Sequence, residues 1–548
     1  MSPGGTMDRF ERNLRALSPR NPDLCARLRA AGTGRDMYGF RETRSGETVP
    51  AILGVSGVAR PLHSTVDPKR EAERLVSASP GGGFVVFLGL GAGFAPAAAL
   101  GLPGVFGVLV IDYGIDGVAG LFRGCDYSGI LGDPRLTLLV DPPPALVESA
   151  VLELYRPALC GGIRILPLRA RTEQDKRSFD EAGDALRRGV EKVSADYSVQ
   201  AHFGTRWFSN IIRNVMAFRA GPPLDLPPVR EAAICAAGPS LDAQIPFLLE
   251  RKGRGDGGPF VISTDTALPA LAHRGLRPDA VVSMDCQHVS YHHFMGSACR
   301  GIPLFLDIAS PPLLSSLSGR PVFFCGGHPL AAYLRRKWAP LPVLDTSGGN
   351  VTFACLSLAE SLGATRIAVL GADFSYPGGK IYARGTYVFP YFERRQNRFS
   401  ALEAQVSAFL FRVPFLPPDS PRRYETATMR SYRLGFERKA SGMAAEVSVM
   451  PGLGIPVIAR GASPPAVGFA PGKPFMGAAE FLKGYLRDLK ALPSWTGGYP
   501  DAGSGQVFAT LLPQMAALGR RWPELSPPEL LEAAKRHAAD QIGRVLGS

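Results

Sequence analysis

The 548-residue sequence lacks paired cysteines, long apolar runs and dense basic tracts. Its eight cysteines are far apart and form no CxxC pair. Several lie in apolar runs such as AAICAAG and PVFFCGG, so we expect buried thiols in a reducing compartment, without a zinc site or a disulfide framework. No run of about 18 uncharged apolar residues occurs, and the N-terminal MSPGGTMDRFERNLRAL lacks the apolar segment of a signal peptide. The sequence therefore predicts a cytoplasmic protein with no membrane span.

Acidic residues are in the minority, since 48 Asp and Glu stand against 61 Lys and Arg, for a net charge of +13. This balance favours acidic partners such as nucleotides, phosphorylated substrates, nucleic acid or anionic lipid, while a surface charge that serves only solubility is an equal alternative. The arginines are scattered, without the basic tract interleaved with aromatic residues that is typical of nucleic-acid binding. We therefore expect no nucleic-acid partner.

The length predicts two or three domains, and the composition, 45% apolar and 20% charged, is that of a globular protein. Short apolar strands that alternate with helices predict an α/β fold with two Rossmann-like doubly wound domains and a helical C-terminal accessory region. The expected boundaries are 1–60 for an N-terminal helix and polar segment, 61–150 for a Rossmann-like N-terminal domain, 151–229 for a helical connector, 230–400 for a central, candidate catalytic Rossmann-like domain, and 401–548 for a mostly helical region.

A glycine turn in the N-terminal domain follows the apolar run GFVVFL. Gly89, Gly91 and Gly93 precede a helix, and Asp112 ends the next apolar run. This is the arrangement of a dinucleotide or nucleoside site, in which the acid binds a ribose hydroxyl. GxGxG is a weak match, and a scaffold that uses glycine for helix packing is the alternative.

Three loops of the central domain follow apolar strands and carry polar groups. Gly238, Pro239 and Ser240 open a helix and are suited to a phosphate or a nucleotide, with an ordinary serine-capped turn as the alternative. Asp265 in STDTAL and Asp285 in SMDCQH are suited to ribose hydroxyls or, together, to magnesium. Helix capping is the alternative for each aspartate.

Two further strand ends extend this set. Ser347, Gly348 and Asn350 in DTSGGNVTF again provide small and polar residues before a helix. His328 in CGGHPL and His293 in QHVSYHHF are candidates for proton transfer, and hydrogen-bonded structural histidine is the alternative. The adjacent His292 and His293 point in different directions on a helix or a strand, so we do not expect a shared metal.

The stretch RIAVLGADFSYPGGKIYARGTY begins as a buried strand and continues as a glycine-rich loop. Asp373 follows the strand, and Tyr376, Tyr382 and Tyr387 follow in the loop. The carboxyl ends of parallel strands are where open α/β sheets place their ligands, so this loop is expected to bind a polar ligand. Tyrosines that only pack over the loop are the alternative.

These motifs together resemble one protein family. The segments GPSL, STDTALPALAHRGLRPDAVVSMD, TSGGNVTFACLSLAESLG and GADFSY look like the motility accessory factor proteins, whose central domain resembles an archaeal hydroxymethylpterin diphosphokinase. Upstream, RFERNLRAL, LHSTVDPKREAERLV and FLGLGAGF resemble the N-terminal domain of the same proteins. The central domain is also similar to bacterial sialyltransferases of the metal-independent type.

This resemblance implies a glycosyltransferase that moves a nonulosonic acid from its CMP-activated form to Ser or Thr of flagellin, with no required cofactor and no metal. In the sialyltransferases a Ser-Gly loop binds cytidine, and a Gly-x-Asp-Phe strand end precedes tyrosines that hydrogen-bond the departing phosphate. Carried onto this sequence, these roles fall on Ser347 and Gly348, Asp373 and Phe374, and Tyr376 and Tyr382. Arg384 is expected to add a cationic contact.

The acceptor base is left open, because no histidine follows Tyr382 until His537. The candidates are His328, His292, His293 and Glu393. Two other functions also remain open. One is a hydroxymethylpterin diphosphokinase-like diphosphotransferase that uses ATP and magnesium at the central aspartates, and the other is a non-catalytic flagellar assembly factor.

Overall fold

The computed structural model describes residues 8–32, 37–53, 59–78, 81–218, 229–253, 258–296, 299–317, 321–417, 422–458, 472–494 and 502–547. The chain forms two compact units. The first unit comprises Met1–Gly204 and Ala491–Arg536, and the second comprises Thr205–Lys490 and His537–Ser548. The predicted α/β class with two Rossmann-like sheets is confirmed.

The first unit begins with two helices and a small antiparallel sheet, and continues as a parallel α/β layer. Its elements are α1 (Arg9–Leu17), α2 (Pro22–Ala30), β1 (Tyr38–Glu42), β2 (Thr48–Leu53), β3 (Ala59–Pro61), α3 (Pro68–Ser77), β4 (Phe84–Leu88), α4 (Phe94–Leu100), β5 (Gly107–Asp112), α5 (Ile115–Gly124), α6 (Ser128–Leu131), β6 (Leu136–Val140), α7 (Pro144–Leu154), α8 (Pro157–Cys160), β7 (Ile163–Pro167), α9 (Arg169–Thr172) and the long α10 (Lys176–Ala217), whose last residues belong to the second unit.

The parallel sheet of the first unit has the order β6-β5-β4-β7. Strands β4 and β5 are buried along their whole length, which explains their continuous apolar sequences, because a parallel strand is covered on both faces. The three strands β1, β2 and β3 pair antiparallel in that order.

The second unit is built around a larger parallel sheet. Its elements are β8 (Glu231–Cys235), α11 (Leu241–Gly253), β9 (Phe260–Thr264), α12 (Leu268–His273), β10 (Ala280–Ser283), β11 (Leu304–Asp307), β12 (Pro321–Phe324), α13 (Pro329–Lys337), α14 (Val351–Ser361), β13 (Arg366–Leu370), β14 (Tyr376–Pro377), α15 (Val388–Glu393), α16 (Leu402–Leu410), β15 (Arg423–Tyr424), α17 (Ala427–Gly442), β16 (Glu446–Val449) and α18 (Ala478–Ala491). Its 3₁₀ helices in the described ranges are His288–Phe294 and Pro312–Ser316. Of the last two helices, α19 (Ala502–Arg521) belongs to the first unit, and α20 (Pro527–Gly547) begins in the first unit and ends in the second.

The large sheet has the order β12-β11-β10-β9-β8-β13-β16, and all its strands are parallel. Strand β16, which lies in the region predicted to be mostly helical, forms one edge of this sheet. The carboxyl ends of β8 to β13 therefore meet at one sheet edge, and the candidates Ser240, Asp265, Asp285, His328 and Asp373 follow these strands.

Two further expectations concern the burial of the cysteines and the presence of membrane-spanning helices. All eight cysteines are buried, as predicted from their apolar surroundings. Among the described residues, no helix is both long and apolar enough to cross a membrane.

Candidate active site

The crevice between β8 and β13 is closed by the protein's own groups. The chain leaves these neighbouring strands in opposite directions across the sheet, which is where an open α/β sheet usually binds its ligand. Asp373, directly after β13, accepts hydrogen bonds from the backbone N–H of Ser240 (2.8 Å) and of Gly454 (2.9 Å), and also from the Ser240 hydroxyl. The Ser240 Oγ in turn accepts the backbone N–H of Leu453 at 2.7 Å. The predicted residues Ser240 and Asp373 thus bind each other and the segment that follows β16.

The glycine-proline-serine loop has no backbone donor left for a phosphate in this arrangement. The N–H of Gly238 donates to the carbonyl oxygen of Gly371 (2.9 Å), Pro239 has no N–H, and the N–H of Ser240 is bound to Asp373. A side chain at residue 238 would place its Cβ 2.3 Å from the Asp373 carboxylate, so glycine is required there. Binding of phosphate by this loop requires the Asp373 contacts to open.

The three tyrosines after β13 come together in a cluster with free hydroxyls. Tyr376, Tyr382 and Tyr387 pack against an apolar group formed by Ile381, Val388 and Phe392. Burial raises the pKa of all three phenols, so they keep their protons at neutral pH. Within the described part of the chain, none of the three hydroxyls has a hydrogen-bond partner. The cluster therefore offers three neutral donors.

A cation that the sequence motifs do not identify accompanies these phenols. Burial raises the pKa of each of the three tyrosines, and the positive charge of the Arg412 guanidinium lowers it. This charge therefore lies close to all three phenols. Arg412 lies 3.9 Å over the ring of Phe409 and has no carboxylate partner among the residues described. The predicted cation, Arg384, is exposed instead, and its backbone N–H donates to Asp242 at 3.1 Å.

Asp265 and Asp285 lie beside the tyrosines but differ in their surroundings. Asp265 is buried, and its two oxygens accept the Ser283 hydroxyl (2.6 Å) and the Thr266 backbone N–H (2.7 Å). Asp285 is half-buried and accepts the backbone N–H of Gln287 at 2.9 Å. Burial raises the pKa of Asp285, and the nearby charge of Asp265 adds to this increase. The charges of both aspartates also reach Tyr387.

His293 is the histidine that the structure brings to this site with a free nitrogen. Its ring meets the Tyr387 ring edge-on, with 4.7 Å between centroids. Its Nδ1 is buried, and no described residue hydrogen-bonds it. A proton on His293 lowers the pKa of Asp285, so the two side chains are electrostatic partners. His292 stacks on Tyr387 at 6.0 Å, and its Nδ1 lies 3.2 Å from the sulfur of Met295.

His328 is less suited to accept a proton. Its Nδ1 caps α13 by accepting the backbone N–H of Leu330 at 3.1 Å, so the ring proton lies on Nε2. Burial lowers the pKa of His328 to about 3, which keeps the ring neutral but makes it a weak base. Its ring packs edge-on against Trp207 at 5.4 Å. This geometry is that of a structural helix cap.

The serine-glycine loop before α14 is ordered by its own polar groups. Asn350 caps α14 by accepting the backbone N–H of Phe353 (3.0 Å), and its amide donates to the carbonyl oxygen of Gly348 (3.1 Å). The backbone N–H of Ser347 donates to Asp345 at 3.0 Å, and the Ser347 side chain is exposed. The loop therefore presents a serine hydroxyl on a fixed backbone.

Tyr432 on α17 joins this loop to the aspartates. Its ring lies 3.1 Å from the position that a Cβ on Gly349 would occupy. Burial raises the pKa of Tyr432, and the charge of Asp285 adds to the rise. No sequence motif identifies Tyr432, which lies within the basic helical segment MRSYRLGFERK.

Asp307 is a further strand-end aspartate that the sequence reasoning missed. It ends β11, is buried, and accepts the backbone N–H of Ala309 at 2.8 Å. Burial raises the pKa of Asp307 to about 6. Its position in PLFLDIAS is the same strand-end pattern that identified Asp265 and Asp285, so the signal was present.

The glycine turn of the first unit is filled by protein groups. The buried carboxylate of Asp112 accepts the backbone N–H of Leu90 (2.7 Å) and the Nε–H of Arg171 (3.0 Å). The Nε2 of His63 accepts the backbone N–H of Ala92 at 2.8 Å. The acid expected to bind a ribose hydroxyl is thus engaged inside the protein, which favours the scaffold alternative for this turn.

The fold and the site define a Rossmann-like α/β protein in which tyrosines, an arginine and aspartates converge at the carboxyl edge of the second sheet. Residues 209–379 match the family described as 6-hydroxymethylpterin diphosphokinase MptE-like. The whole chain resembles the structure of a MAf glycosyltransferase from Magnetospirillum magneticum AMB-1, with a TM-score of 0.55, 14% identity, and coverage of 98% of this chain and 95% of the other. The predicted resemblance to the motility accessory factor family is confirmed by the domain match and the shared fold.

Several relatives in sequence are uncharacterized proteins of Treponema pallidum (strain Nichols). One is 36% identical over 156 residues, which are 27% of this chain and 55% of the relative. A second is 28% identical over 170 residues, 30% of this chain and 78% of the relative. A third is 26% identical over 227 residues, 39% of this chain and 38% of the relative. The chain thus spans about half the length of the first of these proteins.

Proposed function

We propose that the chain is a cytoplasmic glycosyltransferase that moves a nonulosonic acid from a CMP-activated donor to Ser or Thr of flagellin, in support of flagellum assembly and motility. The observation that carries the proposal is the meeting of three neutral phenols with the Arg412 guanidinium at the carboxyl edge of the second sheet. The fold shared with a MAf glycosyltransferase supports it.

The tyrosine cluster supplies what departure of CMP requires. The bond between the anomeric carbon and the phosphate oxygen breaks, and the phosphate takes the electron pair. Tyr376, Tyr382 and Tyr387 donate hydrogen bonds to this developing anion, and Arg412 balances its charge. Because these interactions strengthen as charge develops, they stabilise the transition state more than the bound donor.

His293 takes the acceptor proton in this proposal. The new bond forms between the acceptor oxygen and the anomeric carbon, and the hydroxyl proton moves to the free Nδ1 of His293. Asp285 stabilises the imidazolium that results, since the two groups are electrostatically coupled. Ser347 and Tyr432, whose ring lies next to the serine-glycine loop, would contact the cytidine.

Calorimetric titration with CMP, with and without magnesium, tests this function. We expect binding that persists without magnesium and weakens by about tenfold in Tyr382→Phe, which removes one hydrogen bond to a charged group. Tyr197→Phe, at a half-buried tyrosine of the first unit, is the matched control and should bind as the wild type does. If the folded wild type does not bind CMP or a CMP-sugar, the proposal is wrong.

A second candidate is a diphosphotransferase that uses ATP and magnesium, which the description of the matching family model favours. Magnesium sites use one or two carboxylates together with substrate phosphates. Both oxygens of Asp265 are engaged within the protein, whereas the one hydrogen bond that a described residue makes to Asp285 Oδ2 is long, 3.4 Å from Gln287. Asp285 is therefore the residue that would hold the ion. ATP binding that requires magnesium and is lost in Asp285→Ala would favour this candidate.

A further inference from the structure

Next to the tyrosine cluster lies an exposed patch of arginines and aromatic rings. We call it the arginine–aromatic surface, and it consists of Tyr391, Arg394, Arg395, Arg398, Phe399 and Arg412. It is built from the end of α15, the following loop and the residues after α16. Phe399 is 83% exposed, and no other large apolar side chain in the described residues is more exposed. An exposed apolar group marks an interaction site when it is part of a patch rimmed by polar side chains, and here arginines surround the rings.

The loop that carries Phe399 is held in one conformation. Asn397 and Ser400 exchange two backbone hydrogen bonds of 3.1 Å, and the Asn397 side chain accepts the backbone N–H of Phe399 at 2.9 Å. Below the loop, the rings of Phe392 on α15 and Phe409 on α16 meet at 5.9 Å. The tip is thus presented by a packed helix pair, which lowers the entropy cost of binding.

The cations of this surface are not neutralised by the protein. In the ranges that the structure describes, none of its four arginines forms an ion pair with a carboxylate. Arg395 lies 3.9 Å over the ring of Tyr391, and Arg398 lies 4.4 Å over the ring of Phe399. The Nη1 of Arg395 also donates to the Tyr391 hydroxyl, and the other N–H groups of the stacked guanidinium ions can meet carboxylates. The stacked arginines also cover ring faces that a nucleic-acid base would need.

The surface is continuous with the candidate active site. The ring of Tyr391 lies 6.3 Å from that of His292, next to the proposed base. Arg412 lies over the ring of Phe409, which packs against the same apolar group as the three tyrosines, so it belongs both to this surface and to the tyrosine cluster. A chain bound along the surface would therefore lead directly to the position where sugar transfer is proposed.

We infer that the arginine–aromatic surface docks an acidic, partly apolar segment of the acceptor protein beside its target hydroxyl. Carboxylates of that segment meet Arg394, Arg395 and Arg398, and an apolar side chain covers Phe399. This inference rests on the proposed function, which defines the acceptor, but the binding that it predicts does not require catalysis.

Fluorescence anisotropy of the full chain with a labelled peptide tests the inference. The probe alternates Glu and Leu around a single Ser, and a second peptide has Lys in place of Glu. We expect the acidic peptide to bind and the Lys peptide not to bind. The double variant R395E/R398E should weaken binding of the acidic peptide by about tenfold or more, because two exposed attractions become repulsions. Binding should also weaken in F399S and as salt increases. The matched control R336E/K337E reverses two exposed cations of α13 and should leave binding unchanged.

The outcomes separate this inference from the proposed function. Equal peptide binding by R395E/R398E and the wild type overturns the docking inference, whatever CMP does. Acidic-peptide binding that needs these residues, in a protein that does not bind CMP, supports docking and overturns the transferase. If phosphatidylserine vesicles or oligothymidylate bind through the same residues and the acidic peptide does not, the docking inference is wrong. Unchanged thermal unfolding and CMP binding of R395E/R398E verify that the variant is folded.

Discussion

Replacement of Asp373 decides whether this aspartate stabilises the fold or acts on the substrate. The sequence places it where a catalytic group is expected, whereas the structure shows its carboxylate bound to Ser240 and Gly454. Asp373→Ala leaves two buried backbone N–H groups without acceptors. Each such donor costs about 1–3 kcal/mol, so we expect a loss of about 2–6 kcal/mol in the free energy of unfolding of the second unit. Asp373→Asn keeps one acceptor oxygen and should lose about half as much.

Two measurements report this effect without an activity assay. Urea unfolding measures the change in the free energy of unfolding. Hydrogen exchange measures the local change, because the backbone amides of Leu453 and Gly454 should lose protection. Gly454→Ala is the matched perturbation, because its Cβ would lie 2.3 Å from the Asp373 carbonyl oxygen and displace the same segment while leaving the carboxylate in place. It should reproduce the exchange pattern. Asp373→Asn with wild-type stability and wild-type exchange, but no transfer activity, would refute the structural role.

Three further predictions concern the site and its surroundings. Arg412→Ala should weaken CMP binding by about tenfold, because it removes one contact to a charged group. Arg384→Ala should change the CMP affinity by less than about twofold. Equal losses of affinity in the two variants, measured by calorimetry, would refute the assignment of Arg412 as the cation. His293→Ala should lower the transfer rate by about a hundredfold or more while the CMP affinity is retained. His292→Ala should lower the rate much less. An unchanged transfer rate in His293→Ala would rule out His293 as the base. Because burial raises the folded-state pKa of Asp307 to about 6, the folded protein binds this proton before the unfolded chain does, and stability should rise by up to about 3 kcal/mol as pH falls from about 7 to 4. Urea midpoints across that interval should show a rise that Asp307→Asn removes, and an identical slope in that variant would contradict the prediction.

Much of the fold could be predicted from the sequence because its signals are local. Continuous apolar runs such as FVVFL and RIAVL become buried parallel strands, and glycines mark their ends. The helix predicted in DRFERNLRAL is α1, whose buried Phe10, Leu14 and Leu17 follow the helical period. Tyr382 lies in the loop that follows β13, at the carboxyl end of this parallel strand, because the strand ends where the apolar run ends.

Partners of the polar groups could not be predicted, since they come from distant parts of the chain. Asp112 has the sequence pattern of a ribose ligand, but Arg171, 59 residues away, occupies its carboxylate. Ser240 has the pattern of a phosphate-binding serine, but Leu453, 213 residues away, donates to its hydroxyl. Arg412 and Tyr432 reach the site only through the packing of helices that carry no motif.

The two Rossmann-like units share one feature that bears on where a ligand can bind. In each unit, an aspartate of the same unit occupies the turn that a nucleotide would use in such a fold. Asp112 accepts the backbone N–H of Leu90 in the first unit, and Asp373 accepts that of Ser240 in the second. The free donors of the second unit lie instead among the tyrosines and Arg412, beyond the end of β13. A phosphate that reaches the second sheet therefore meets unoccupied phenols there without displacing a buried carboxylate. For this reason the tyrosine cluster, rather than either glycine turn, is the position at which we expect the donor to bind.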